Sequence, residues 1–351
     1  MMPATPFGPR RPARAHAPLH LDPFVTVLVP ARNEARSIEQ CIAAVAAQDY
    51  DHDRMEVVVV VGTSTDGTEE LARRALQRHG LAHAKVIENP VATTPNNLNT
   101  GLAASSGEIL CRVDARSLVP TDYVSRCVSV LTSLPQVAVT GGAQVTVTPA
   151  ATAKGQGIAR ALNNRWGMGL SRYRRGAPSG PADTVYLGAF RTDGLRAAGG
   201  WNEQFPTNQD FELNRRMGRT GTVWFDSELE VGYIPRSTVR DLFRQYRRFG
   251  NWKVRYWRTT GDRPRGRQLA LLTVPVVAGG ACTAILVRRP YAAPTLLAAA
   301  LVAGIAVEVK GAHEPYATSP AAHAYGVAAM GAVASGWLLG VWEELLRHRT
   351  P

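Results

Sequence analysis

Cysteine is scarce. The 351-residue chain holds four, Cys41, Cys111, Cys127 and Cys282. They lie far apart, with no C-x-x-C and no neighbouring histidine, which excludes a structural zinc site and reads as reduced, mostly buried thiols. Acidic residues are also in short supply, 28 against 40 Lys and Arg, for a net charge of +12. No G-x-G-x-x-G follows the first apolar run, which excludes the fingerprint of a nicotinamide-dependent oxidoreductase. Nothing apolar precedes Phe24. Residues 1–22 are rich in Pro, Ala and Arg without an apolar stretch, so they read as a disordered leader and not as a signal peptide.

Apolar residues make up 45% of the chain, enough for a proper core in one large domain or two. The positive charge is concentrated. Arg236–Arg267 carries eleven Arg or Lys against two Asp and stands directly before the first long apolar segment. A basic segment in that place is drawn to anionic lipid headgroups at about 1 kcal/mol per basic residue near the surface. A nucleic-acid binder would instead spread its basic residues over the folded domain.

The first hundred residues after the leader alternate strand and helix. Phe24–Pro30 reads as a strand and Glu34–Ala47 as a helix with Ile38, Cys41, Ile42 and Val45 on one face. Met55–Val61 is a second strand whose five consecutive valines suit a parallel strand covered on both sides. A helix over Asp66–His79, capped by Asp66, a strand over Ala84–Glu88, a helix over Pro95–Ala104 and a strand over Ile109–Val113 follow. This rhythm predicts a doubly wound, mostly parallel sheet. Beyond Asp114 the pattern predicts a helix over Tyr123–Leu131 and strands over Val137–Thr148, Thr184–Arg191 and Thr222–Phe225, extending the sheet around a substrate cleft.

From residue 269 the character changes. Leu269–Val287 and Tyr291–Val307 contain no charged residue, and Ala321–Trp342 none apart from His323. Each run approaches the length that a bilayer-spanning helix requires. Arg288 and Arg289 between the first two conflict with the positive-inside rule if Arg263, Arg265 and Arg267 hold the preceding end in the cytoplasm, so two to three crossings are expected. The domain plan is thus a leader over 1–22, an α/β domain over 23–235, a basic amphipathic segment over 236–267 and a membrane region over 268–345.

Four polar clusters fall at predicted strand ends, where open α/β sheets bind their ligands. They are Pro30-Ala-Arg-Asn-Glu34, Ser64-Thr-Asp-Gly-Thr68, Arg112-Val-Asp-Ala-Arg116 and Asn208-Gln-Asp-Phe-Glu-Leu-Asn-Arg-Arg216. With TPNNLNTGLAASSGEIL, TGGAQVTV, DTVYLGAFR, GGWNEQF and QYRRFGNWK, these motifs make Val25–Trp257 resemble the family 2 glycosyltransferases of GT-A fold. The likeness is strongest to membrane-associated exopolysaccharide enzymes of the succinoglycan glucosyltransferase type.

That resemblance implies transfer of a sugar from a nucleotide-sugar donor to a polysaccharide precursor, lipid-linked, with inversion. The expected site is a cell-membrane protein's cytoplasmic catalytic domain. It makes Asp114 the first Asp of a metal-binding D-x-D, holding Mg²⁺ or Mn²⁺ against the donor pyrophosphate. Asp210 becomes the catalytic base, with Glu212 as second choice, and Arg215 and Arg216 help keep it charged. Pro30, Arg32, Asn33, Glu34, Thr63, Asp66, Asn99 and Arg112 join Asp114 on the donor side. Gly188, Arg191 and Gln209 fall on the acceptor side. Arg244, Arg247 and Arg248 are placed to meet a pyrophosphate or anionic membrane lipids, with Trp252 and Trp257 in the headgroup region or stacked on sugar.

Three positions depart from the family pattern. Val61-Gly62-Thr63 stands where a base-gripping carboxylate is usual, Arg116 replaces the second Asp of D-x-D, and Gln209 replaces the Glu before the base. These departures keep open a catalytically degenerate scaffold. A processive polysaccharide synthase is a further alternative, which would need apolar spans before the catalytic domain as well as after it.

Overall fold

The computed structural model describes residues 16, 18–91, 93–148, 152–164, 173, 177–264, 266–311 and 319–347; most of the leader, and Arg265, lie outside the described residues. The chain divides into two compact units, Met1–Val145 with Ser171–Tyr233, and Thr146–Leu170 with Ile234–Pro351. The second unit therefore takes residues 146–170, which the sequence pattern assigned to the α/β domain.

The first unit is built on one mixed sheet. Its first four strands are β1 (Val25–Ala31), β2 (Met55–Gly62), β3 (Ala84–Asn89) and β4 (Ile109–Arg112). The helices α1 (Ile38–Ala46), α2 (Thr68–Arg78) and α3 (Thr94–Ala104) connect them. Pairing of β1 with β2, β1 with β4, and β2 with β3 is parallel, as crossover helices require. There follow β5 (Ser117–Leu118), α4 (Tyr123–Ser133), β6 (Val137–Thr146), and, beyond α5 (Ala153–Asn163) of the second unit, β7 (Gly180–Pro181) and β8 (Tyr186–Arg191). The unit closes with α6 (Thr192–Ala197), α7 (Gln209–Met217) and β9 (Thr222–Tyr233). The sheet order is β3-β2-β1-β4-β8-β6-β9-β5, with β7 on β9. Pairing turns antiparallel at β4–β8 and stays so at β6–β8 and β5–β9, so the half after Asp114 is not a continuation of the parallel winding.

The valine run of β2 shows why the sheet is covered twice. Val57, Val59 and Val61 pack with Ile38, Cys41, Ile42, Val45, Ala72 and Leu76 of α1 and α2. Val58 and Val60 face the opposite core, with Leu98 and Leu102 of α3, Trp201 and Phe225. Alternation of side chains sends successive valines to opposite faces, and burial of each is worth roughly 1.5–3 kcal/mol.

Two helix starts differ from expectation. Helix α1 begins at Ile38, because Glu34–Ser37 form a turn in which Ser37 N and Ile38 N both donate to Glu34 O. Helix α2 begins at Thr68 after Gly67 at φ 79°. Asp66 still accepts from the Thr68 amide (3.2 Å) and hydroxyl (2.5 Å), but its other oxygen takes the Ala35 amide at 3.0 Å. The cap position itself falls to Gly67, which has no side chain to offer, so Asp66 ties two loops together and is not the N-cap residue that the sequence pattern predicts.

The second unit comprises α5, α8 (Val239–Thr260), α9 (Gly266–Arg288), α10 (Ala293–Gly311) and α11 (Pro320–Arg347). Three segments among the described residues are long and apolar enough to cross a membrane: Gln268–Arg288, Pro290–Gly311 and Pro320–Arg347. Glycines let α8 and α11 approach closely. A Cβ on Gly340 would lie 2.0 Å from Arg247 O, and one on Gly250 would lie 2.2 Å from Trp337 O. Ion pairs Arg247–Glu343 and Arg255–Glu344 flank that seam.

Candidate active site

The carboxyl ends of β1 and β2 carry the first two polar clusters, and hydrogen bonds lace them together. Asn33 N donates to Ser64 Oγ (3.0 Å), Thr65 N to Asn33 Oδ1 (2.9 Å), and Glu34 N to Thr68 Oγ1 (2.8 Å). Both clusters therefore line one edge of the sheet. Pro30 is buried at the end of β1, while Arg32 is exposed. Thr63 is held by its hydroxyl on Pro90 O at 3.1 Å.

The third cluster follows β4. Arg112, the last residue of the strand, is 2% exposed and has two carboxylates on one guanidinium. Its Nε and Nη2 donate to Asp114 Oδ1 and Oδ2 at 2.7 and 3.1 Å, and Nη1 donates to Asp210 Oδ1. Tyr123 Oη fixes the backbone below by donating to Arg112 O at 2.8 Å. Burial alone would lower the Arg112 pKa, but the charges of Asp114 and Asp210 outweigh it and raise it. Enclosure by protein pushes the Asp210 carboxyl above the usual aspartate range and Asp114 adds to the rise, against the pull of Arg112. Loss of solvent around the carboxyl is the larger cause, and the neighbouring Asp114 charge the smaller.

Asp210 lies in the first turn of α7, behind Asn208 at φ 66°. Asn33 (φ 53°) and Leu187 (φ 59°) are the other non-glycine residues with left-handed backbone among those described. Asparagine tolerates this region, whereas Leu187 adopts it within β8, where the pairing with β6 shifts register. Gly188 follows Leu187 at φ 105°, and a Cβ there would lie 2.8 Å from the Phe190 ring. The Trp201 indole, 1% exposed, packs edge-on against Phe190.

Several residues take roles other than those expected. Arg215 comes to 4.0 Å from Asp183, and Arg216 forms a two-pronged pair with Glu212 at 2.8 and 2.7 Å. Glu212 is buried in that pair, and Arg216 also donates to Gly200 O at 2.8 Å. Arg191 is 4% exposed and donates to Val137 O (3.0 Å) and to Leu131 O, bracing β6 and α4 from within the fold. Burial lowers its pKa. Asn99 clamps the backbone of Trp201, donating to its carbonyl at 2.8 Å and accepting its amide at 2.9 Å. Gln209 opens α7 and is partly exposed. Arg244, Arg247 and Arg248 belong to the second unit. Arg247 is taken by Glu343 at 2.7 Å, Arg244 reaches Asp241 at 3.2 Å, and Arg248 is exposed. Trp252 stacks under Arg255, whose Cζ is 4.6 Å from the ring centroid.

The residue that sequence reasoning undervalued is Arg112. Its partner Asp210 is 98 positions away, so only the fold brings them together. A buried arginine ending an apolar strand was the available signal.

The donor set around Asp114 does not fit a protein-held divalent cation. Both Asp114 oxygens are engaged by Arg112, and the next side chain of the D-x-D register is the Arg116 guanidinium, whose Nε donates to both oxygens of Glu34 at 2.8 Å. No group of three or more His, Cys, Asp or Glu among the described residues is arranged to hold a metal. Hard cations want several oxygen ligands free of competing donors.

Residues 26–182 match the Glycosyl transferase family 2. The chain is 30% identical over 330 residues to the succinoglycan biosynthesis protein ExoA of Rhizobium meliloti (strain 1021), covering 92% of this chain and 95% of that one. It is 22% identical to the dolichyl N-acetyl-alpha-D-glucosaminyl phosphate 3-beta-D-2,3-diacetamido-2,3-dideoxy-beta-D-glucuronosyltransferase of Methanococcus voltae, over 65% of this chain and 72% of that one. In three dimensions it is similar to the mannosyltransferase PcManGT from Pyrobaculum calidifontis, solved in complex with GDP-Man and Mn2+, with a TM-score of 0.57 at 23% identity over 97% of this chain and 92% of that one. The match over nearly the whole length, joined to the strand-end clusters and the mixed sheet, makes this chain a member of glycosyl transferase family 2 with the GT-A fold.

Proposed function

We propose that the protein is an inverting glycosyltransferase that moves one sugar from a nucleotide-sugar donor to a lipid-linked polysaccharide precursor, at the cytoplasmic face of a membrane. The observation that carries this reading is the pairing of Asp114 and Asp210 on Arg112. Asp210 keeps 39% of its side chain exposed although its partner arginine is buried, so it meets a ligand without leaving its tether. In the proposed reaction Asp210 takes the proton of an acceptor hydroxyl. That oxygen attacks the anomeric carbon from the face opposite the nucleoside diphosphate, which leaves with the bonding electrons. Arg112 holds the base in place. The loops of Asn33, Glu34, Thr63 and Asp66 would receive the nucleotide, and the Gly188 stretch of β8 the acceptor sugar, where absence of a Cβ permits close approach.

A lipid-linked acceptor is supported by the membrane-length helices and by the dolichyl phosphate named for the Methanococcus relative. The succinoglycan relative supports an exopolysaccharide product. The exposed Arg244 and Arg248 suit anionic lipid or the acceptor's phosphate. The test is transfer from radiolabelled nucleotide sugars to a membrane-lipid extract by the full chain in detergent. Full activity in Asp210→Asn would overturn the assignment of the base.

A further inference from the structure

Arg116 stands where a second metal-binding carboxylate would be expected, and the structure gives it a defined seat. Its Nε is shared between both Glu34 oxygens at 2.8 Å, and it makes no other hydrogen bond among the described residues. That leaves the two Nη groups of the fork for another acceptor. Glu34 is in turn fixed by its backbone amide on Thr68 Oγ1 and by Ser37 Oγ, which donates to Glu34 Oε2 at 3.0 Å. The Asp114–Arg116 turn is equally fixed: Ser117 N donates to Asp114 O at 2.8 Å, and the Cys41 thiol donates to the same oxygen at 3.6 Å. Side chains of both Arg116 and Glu34 stay partly open, at 26% and 18%. The buried guanidinium of Arg112 meanwhile engages both Asp114 oxygens and pairs with Asp210.

We propose that Arg116 takes the part of the divalent cation, donating through its Nη groups to the diphosphate of the nucleotide sugar, so that donor binding and sugar transfer proceed without metal. A planar fork with fixed positive charge matches two oxygens of a diphosphate and keeps its charge at every working pH. As the bond between the anomeric carbon and the β-phosphate oxygen breaks, the electron pair passes to that oxygen. The hydrogen bonds from Arg116 strengthen with the charge. The acceptor oxygen forms the new bond to carbon, and its proton goes to Asp210. This inference rests on the glycosyltransferase reading.

The experiment is titration calorimetry of the full chain in detergent with UDP, GDP, dTDP and ADP, once in EDTA and once in Mn²⁺. At least one diphosphate should bind in EDTA with an affinity that Mn²⁺ changes less than about 3-fold. Arg116→Gln should weaken that binding about 10- to 100-fold, the worth of a charge-assisted hydrogen bond, with an unchanged melting temperature. Arg116→Lys, which keeps the charge without the planar fork, should retain part of the affinity that Arg116→Gln loses. Binding by the natural protein only in Mn²⁺ would overturn the proposal and leave the glycosyltransferase reading standing. Unaltered EDTA binding in both variants would likewise overturn it. Binding of none of the four in either buffer would remove the donor reading itself and this proposal with it.

Discussion

Two nearly buried arginines organise the two units, and they are used in opposite ways. In the first unit Arg112 is 2% exposed while its partners Asp114 and Asp210 keep 34% and 39% of their side chains open. In the second unit Arg160 is 5% exposed and its partner Glu308 is 0% exposed. Glu308 accepts from Arg160 Nε at 2.5 Å and pairs with His323 Nδ1 at 2.7 Å, while Asn164 donates to the Val307 and Glu308 carbonyls at 3.0 and 3.1 Å. Every charge there is spent on protein. Such a cluster joins α5, α10 and α11, and its carboxylate is wholly shielded from solvent. A buried cation with open partners is equipped to bind or react; a buried cation with buried partners holds helices together.

The comparison can be broken at either end. The largest effect is expected on the open side: Asp210→Asn should lower transfer about 10²- to 10⁴-fold while thermal melting stays unchanged. Because the Asp210 carboxyl is raised and the base must be ionised, activity should fall on acidification at a pH above the ordinary aspartate range, which a pH–rate profile would show. On the closed side, Arg160→Met should cost about 3–5 kcal/mol of stability by stranding Glu308. Pairing it with Glu308→Leu should restore most of the loss, as chemical denaturation in detergent would report. Retention of full stability in Arg160→Met would remove the distinction between the two clusters.

A third cluster, around Glu56, gives an intermediate case. Glu56, 8% exposed, accepts from Thr26 Oγ1 at 2.6 Å, from Ser106 N at 2.6 Å and from Lys85 Nζ at 3.2 Å. Burial would raise its pKa, yet the bonds from Thr26, Ser106 and Lys85 prevail and lower it. A carboxyl lowered in the fold stabilises it fully above its unfolded pKa, and that contribution is lost as pH falls through the folded value. Glu56→Gln should cost about 1–3 kcal/mol at neutral pH, with the deficit shrinking in acid melts. The smallest effect belongs to Arg248, which is exposed and outside all three groups. Arg248→Gln should change stability by less than about 0.5 kcal/mol. It should weaken sedimentation with anionic vesicles by about 1 kcal/mol.

Local sequence carried the parallel half of the fold because its signals are local. The Val57–Val61 run, the amphipathic spacing of Ile38, Cys41, Ile42 and Val45, and the short connections are each read within a dozen residues. After Asp114 the antiparallel strands pair across long insertions, so β4 meets β8 rather than its neighbour in sequence. Helix α5 left the sheet for the second unit, where Ile158 and Leu162 pack with Leu242 and Val333. Nothing in a stretch as short as Ala153–Asn163 names its partner. Arg191, Asn99 and Glu212 read as site residues by position in a motif, whereas their burial and backbone bonds come from neighbours far along the chain.

Sequence by itself determined that an α/β sheet with polar strand ends is followed by membrane-length apolar helices, since periodicity and run length are properties of the chain alone. Which charges are open and which are closed was decided only by tertiary structure. Arg112 and Arg160 are both buried arginines, and each pairs with an acid far along the chain, 98 positions away for Asp210 and 148 for Glu308. Whether that acid is left facing solvent or sealed between helices depends on the packing around it, and the packing exists only once the chain has folded.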